Sequence, residues 1–319
     1  FRLLRLVGNK TIYIPLLRQT HFGNDHSMVR WVKSADNGRY DHDFSIVEKY
    51  LDLAVRRLGR LPVVCLYVWD PRTAGEANRG FPFTLLDAAT GQLAEAEGPG
   101  WEDPAIVEFL RPVIAGMRQR LELRGLGESM MLGLSGDVRP GKAVAGVLQQ
   151  IAPNARWVSQ AHPRITQLHG IPAGYVTTVW NAGFPPDPQE QRLYGWQAGP
   201  FIYATFPREG STCIGPLRPW ASPVIPRCIS EAALAAGLAG FGRVGADFWD
   251  VLDAGRDRRS SLIGRFPGDA WAQLNIAHTT NYMLAAGPDG PVSTIRFELL
   301  REGLQLAEAR IFLERALAD

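Results

Sequence analysis

PVVCLYVW, residues 62–69, decides the fold. Apolar side chains fill both alternating positions of this run, so the strand it predicts has no face left for water. Strands covered on both faces belong to parallel sheets wrapped by helices. Further strand-like runs occupy 11–17, 129–136, 155–160, 174–180, 201–206 and 244–249. Stretches of helical period lie between them. In 44–58, Val47, Tyr50, Leu51, Ala54, Val55 and Leu58 share one face. Ser45 with Glu48 has the form of a capping box, and Gly59 suits the stop. A second helix is expected to follow Asp103-Pro104 and run to Leu123, with a kink at Pro112. Others are expected over 142–151, within 230–238, and over 295–317 with many Glu and Arg on the outer side.

Strand and helix alternate, which leaves a closed barrel or an open doubly wound sheet. The 319 residues suit a single (β/α)8 TIM-type barrel, a fold of about 250 residues, with embellishments. Seven strand candidates are visible, and a first strand upstream of Phe1 would complete eight. Residues 83–100 read as an inserted β-hairpin turning at Ala89-Thr90-Gly91, and 184–189 and 215–226 as long Pro-rich loops. The expectation is one barrel domain over 1–319, ending in a C-terminal helix. The chain opens at Phe1 without Met or a leader pattern, as a piece of a longer protein would.

Lys+Arg 34 against Asp+Glu 32 gives a net charge of +2, which argues against a nucleic-acid partner. No run approaches the roughly 20 apolar residues of a membrane helix. There is no CxxC, Walker sequence or GxSxG elbow, and no metal or cofactor motif is assigned. Gly240-Phe241-Gly242-Arg243-Val244-Gly245 matches GxGxxG. Its helix comes before and its strand after, the reverse of the dinucleotide order, so it reads as a turn. Cys65 reads as a small buried hydrophobe. Cys213 and Cys228 bracket one Pro-rich loop and would pair only in an oxidising compartment.

The functional signal lies in the residues at the end of each apolar run. Asp70 comes directly after Trp69. Asp137 and Arg139 come after Gly136, His162 after 155–160, and Asn181 after Trp180. Arg208 and Glu209 come after Phe206, and Asp247, Trp249 and Asp250 end the last run. In a (β/α) barrel these positions ring one mouth, where catalytic groups sit. Carboxylates, a His, an Arg and indole rings at one mouth suit a carbohydrate substrate. Three readings stay open. One is a glycoside hydrolase whose acid is Glu209 first, with Asp247 and Asp70 behind it. The second is a barrel that binds sugar without turnover. The third is a lyase or metal-dependent hydrolase using His21, Asp25 and His162.

Several stretches together carry a family resemblance. They are HFGNDHSMVRW (21–31), YDHDFSIVEKYLDLA (40–54), MLGLSGDVRPGK (131–142), IAPNARWV (151–158), FIYATFPRE (201–209), GADFWDVL (245–252) and the C-terminal stretch 282–312 with its Gly-Pro-Asp-Gly turn. With these the chain resembles the catalytic barrel of glycoside hydrolase family 123. The resemblance implies a barrel, a carbohydrate substrate, and export from a bacterial cell to the periplasm or beyond. It implies removal of N-acetylgalactosamine with help from the substrate's acetamido group, oriented by an Asp beside a proton-donating Glu. Asp137 matches that Asp, and Val138 stands in the place of the Glu. Arg139 and Pro140 come next, where the pattern differs, and Leu306 stands where such helices often carry Asp. The expected catalytic residues are Asp137, Glu209 and Asp247. The expected substrate-binding residues are Asp70, His21, Asp25, Arg139, His162, Trp180, Arg208 and Trp249.

Overall fold

The computed structural model describes residues 1–20, 24–33, 40–70, 80–135, 138–161, 167–178, 200–202, 224–235, 240–241 and 283–318. In chain order the elements are α1 (Arg2–Leu6), β1 (Thr11–Pro15), β2 (Arg30–Lys33), β3 (Tyr40–Asp43), α2 (Ser45–Leu58), β4 (Val63–Tyr67), β5 (Gly80–Leu86), β6 (Leu93–Gly100), α3 (Ala105–Glu122), β7 (Met130–Ser135), α4 (Lys142–Ile151), β8 (Arg156–Ala161), β9 (Gln167–Leu168), β10 (Ile171–Thr178), β11 (Pro200–Ile202), α5 (Ile225–Ala235), β12 (Gly240–Phe241), β13 (Leu284–Gly287), β14 (Gly290–Ser293) and α6 (Ile295–Ala318). The chain divides into two compact units. One holds 1–2, 9–160 and 165–175; the other holds 3–8, 161–164 and 176–319.

In the first unit, β1 pairs in parallel with β4, β4 with β7, and β7 with β8. β10 comes after β8 in the order. Each strand lies beside its predecessor in the chain, as in a singly wound sheet; a doubly wound sheet reverses direction partway. The fold is thus mixed α/β with a parallel sheet and helices. Among the described residues the order runs from β1 to β12, no ladder joins those ends, and the sheet is not closed. The expected strands 11–17, 62–69, 129–136, 155–160 and 174–180 coincide with β1, β4, β7, β8 and β10. The run 201–206 meets β11 at its start, and 244–249 lies outside the described residues.

β4 is buried at every position. On one of its faces Cys65 and Tyr67 press against Gly133 of β7. A Cβ at 133 would stand 2.5 Å from Cys65 Sγ and 2.8 Å from Tyr67 Cδ2. Gly133→Ala is therefore expected to lower stability by about 1–3 kcal/mol through overpacking. Urea unfolding checks this, and an unchanged midpoint would show that the ring yields freely. Burial pushes the Cys65 thiol up and the Tyr175 phenol up to about 12, the latter against a hydrogen bond with Thr11 that acts the other way. Cys228 is a free, exposed thiol, and Cys213 lies outside the described residues.

The segment 83–100 does form a hairpin, with its turn where expected. Asp87 Oδ1 accepts from the amides of Ala89 and Thr90, and Gly91 takes φ 72°. Those backbone donors hold the Asp87 carboxyl below its usual range. The hairpin is half of a second sheet, ordered β3-β2-β5-β6. Trp31 of this sheet stacks on Phe109 of α3 at 5.5 Å and 11°, with Phe81 and Phe83 around it. Each such aromatic pair contributes about 0.5–1.5 kcal/mol beyond its buried area. His42 meets Trp31 edge-on at 5.5 Å, and burial lowers its pKa against the opposing effect of Asp41.

The capping box expected at Ser45 is absent. Asp43 Oδ1 accepts from the Ser45 amide at 2.8 Å. Glu48 turns instead to Arg120, at 2.8 Å, and to Arg124, which also holds Asp52 at 2.6 Å. Gly59 ends α2 at φ 74° with its amide on the Val55 carbonyl. Asp103 Oδ1 accepts from the Ala105 amide at the start of α3, which continues through Pro112.

In the second unit, residues 176–178 of β10 pair in parallel with β11, and β11 with β12. The antiparallel β13–β14 hairpin carries the expected Gly-Pro-Asp-Gly turn, with Gly290 at φ 120°. α6 opens on Thr294, whose hydroxyl donates to the Met283 carbonyl and accepts from the Phe297 amide. Phe297, Leu300, Gly303 and Ala307 are its buried residues. At Gly303 it crosses α5 so closely that an added Cβ would fall on the Arg227 carbonyl oxygen and lie 2.7 Å from the carbonyl carbon.

Candidate functional site

Three registers assemble the candidate site in the first unit: Pro15 beside Tyr67, Leu66 beside Leu132, and Ser135 beside Gln160. They set the C-terminal ends of β1, β4, β7 and β8 along one edge of the sheet. Parallel pairing achieves this because every strand of the set leaves the sheet on the same side.

At the exit of β4, Asp70 is 0% exposed. The phenol of Tyr67, itself buried, donates to Asp70 Oδ2 at 3.1 Å. A hydrogen bond of this kind orients a buried carboxyl group.

At the exit of β1 one side chain gathers the described loop residues. Asn24 Oδ1 accepts from the amide and the hydroxyl of Thr20. Asn24 Nδ2 donates to the carbonyls of Leu17, at 2.7 Å, and His26, at 3.0 Å. The Asn24 carbonyl accepts from the Gln19 amide, and Gln19 sits at φ 54°. The next residue, Asp25, is half-buried. The buried Arg18 reaches Glu95 of β6 at 2.9 Å, and Gln19 Nε2 donates to the same carboxylate. Ser27 and Thr84 exchange two hydrogen bonds, 2.9 and 3.1 Å long, which tie the end of the loop to β5.

At the exit of β7, Val138 is 46% exposed and Arg139 is exposed. Pro140 is held from a distance. The two residues joining β9 to β10, His169 and Gly170, take φ 50° and 81°, the signs of a type I′ turn. This turn places His169 Nε2 2.9 Å from the Pro140 carbonyl oxygen. The carbonyl can only accept, so Nε2 carries the proton. Trp157 Nε1 donates to the Leu168 carbonyl at 3.3 Å and steadies the same turn.

Of the expected site residues, the structure brings Asp70, Asp25 and Arg139 to this one edge. Asp137, Glu209, Asp247, His21, His162, Trp180, Arg208 and Trp249 lie outside the described residues. Among the described residues no group of three His, Cys, Asp or Glu side chains is placed to hold a metal ion. Sequence reasoning missed Tyr67, Asn24 and His169, which hold the edge in place. The His-Gly pair before an apolar run was a turn signal for the third of these. The described residues also line an open surface hollow of about 480 Å³, with Trp101, Glu108, Arg111, Val147 and Gln150 among its walls. It lies between the start of α3 and the end of α4.

Residues 1–199 match the family model described as Glycoside hydrolase 123, catalytic domain. Among solved structures the chain is similar to a family 123 glycoside hydrolase from Clostridium perfringens, whose description concerns glycolipid glycan hydrolysis. The TM-score is 0.67 at 13% identity, over 98% of this chain and 53% of that one. At that identity the likeness is one of fold, and the chain spans about half the length of that structure. No curated protein sequence matches the chain.

Proposed function

Because the chain belongs to the glycoside hydrolase 123 catalytic-domain family, we propose that it hydrolyses a glycosidic bond of a glycan at the C-terminal ends of its parallel strands. The observation that carries this reading is the alignment of the β1, β4, β7 and β8 exits on one edge. We propose a (β/α)8 barrel over 1–319 as the frame. The chain-order succession of strands supports it, since a barrel adds each strand beside the last.

In this reading Asp137 orients an acetamido group of the substrate, Glu209 protonates the leaving oxygen, and Asp247 supports the oxocarbenium-like transition state. Asp70, Asp25 and Arg139, with His21, His162, Trp180, Arg208 and Trp249, position the sugar. Asp70 serves from within, because its burial and its bond from Tyr67 fix it as an acceptor. The setting we propose is bacterial and exported, periplasmic or extracellular, where glycans are met. Val138 favours a second reading. An exposed valine where the family places its acid suits a barrel that binds sugar without cleaving it.

The test is turnover of 4-nitrophenyl glycosides of galactose, glucose, N-acetylgalactosamine and N-acetylglucosamine in both anomers. The protein is expected to cleave at least one, and Asp137→Asn and Glu209→Gln to lower that rate about tenfold or more. Binding of the free sugars by calorimetry without turnover would establish the second reading. Neither binding nor turnover would reject both.

A further inference from the structure

α6 has two apolar faces, and α5 covers one of them. The covered face carries Phe297, Leu300, Gly303 and Ala307. Ion pairs from Arg227 to Glu302, at 3.1 Å, and from Arg310 to Glu231, at 2.8 Å, border it. At 3.6 residues per turn, Ile295, Leu299, Leu306, Leu313 and Leu317 fall together on a second face, with Ala309 and Ala316 beside them. Most of this face is open: Ile295 is 67% exposed, Leu306 47%, Leu313 58% and Leu317 86%, with Leu299 half-buried. Soluble surfaces scatter single apolar residues, whereas a contiguous stripe along a helix marks an interaction surface.

The pattern along the stripe names its partner. Around Leu306 the sequence is symmetric in character. Four residues away on either side stand Glu302 and Arg310, of opposite charge. Seven residues away stand Leu299 and Leu313, and eleven away Ile295 and Leu317. Laid antiparallel on itself about Leu306, the helix sets leucine on leucine, and Glu302 faces Arg310 in both halves. Such self-complementarity is what a two-fold interface requires, since each residue meets its counterpart twice. Glu302 remains about half exposed in its pair with Arg227, and Arg310 in its pairs with Glu231 and, at 2.7 Å, Glu314, so both stay within reach of an approaching charge. A seven-residue apolar spacing flanked by charges is the pattern of paired helices.

We infer that a second copy of this chain docks on the outer face of α6, the two helices antiparallel about a two-fold axis at Leu306. Sedimentation velocity of the full chain between 1 and about 100 µM tests it. The mass is expected to rise to twice 35.2 kDa. Leu306→Glu and Leu313→Glu are expected to weaken association about tenfold or more each, without lowering the melting temperature. The register is read by crosslinking in a Cys228→Ser background. Leu299→Cys mixed with Leu313→Cys forms a disulfide dimer on oxidation, and neither does so alone. A monomer at the highest concentration, a dimer indifferent to both glutamates, or crosslinking by either single cysteine variant would each overturn the proposal.

Discussion

On the second reading, in which the chain lacks its acid at Val138, glutamate at position 138 is expected to raise hydrolysis of N-acetylated aryl glycosides by about 10²-fold over the parent chain, whereas with Glu209 as the acid it adds little. A positioned general acid contributes about 10²–10⁴ to such a reaction, and the family pattern places one beside the acetamido-orienting Asp. Val138 is exposed on the segment leaving β7, so a longer side chain enters without displacing core. The backbone there is already held, two residues on, by His169 at the Pro140 carbonyl. The neighbouring Asp137 adds a like charge, which favours the protonated form a general acid needs. Val138→Gln is the control, since an amide of the same length donates no proton in catalysis; it is expected to match the parent. Equal gains from Glu and Gln, or none from Glu, would remove position 138 from the chemistry.

Gly303→Ala is expected to destabilise the second unit by about 3 kcal/mol or more, the upper range of overpacking. In an open helix the same change stabilises by about 0.5–1 kcal/mol, so the sign decides. The added methyl meets the Arg227 carbonyl, which is backbone inside α5. No rotamer relieves that contact. The two helices must part, and Phe297, Leu300 and Ala307 lose burial with them. Thermal and urea unfolding give the measurement, and a raised melting temperature would show that the crossing has room for a methyl group.

The parallel strands were legible because double-sided burial leaves a continuous apolar run, as in 62–69. The hairpin turn was legible because Asp87 and Gly91 have few other uses at such spacing. β2 and β3 were not. They are four residues each, and β3 reads Tyr-Asp-His-Asp, with neither apolar length nor alternation to announce it. β2 belongs to its sheet through β5, fifty residues downstream in parallel register, a pairing no local pattern carries. The capping box at Ser45 failed because Arg120 and Arg124, on the far side of a helix packing, claim Glu48. In the site, Asp70 was visible as a carboxylate closing an apolar run. Tyr67 passed as core, and its phenol shows a role only once the chain turns Asp70 back over it. The outer side of α6 was read as charged; Leu306, Leu313 and Leu317 share it with the Glu and Arg.

The succession of β1, β4, β7 and β8 also sets an order of assembly during synthesis. Each strand finds its partner already made, one crossover earlier, so the sheet grows from the end that leaves the ribosome first. β2 is the exception. It has left the ribosome well before β5 exists, and its Trp31 waits for Phe81, Phe83 and finally Phe109. During that interval the nascent chain displays an unfilled aromatic surface, the kind of segment that chaperones grasp.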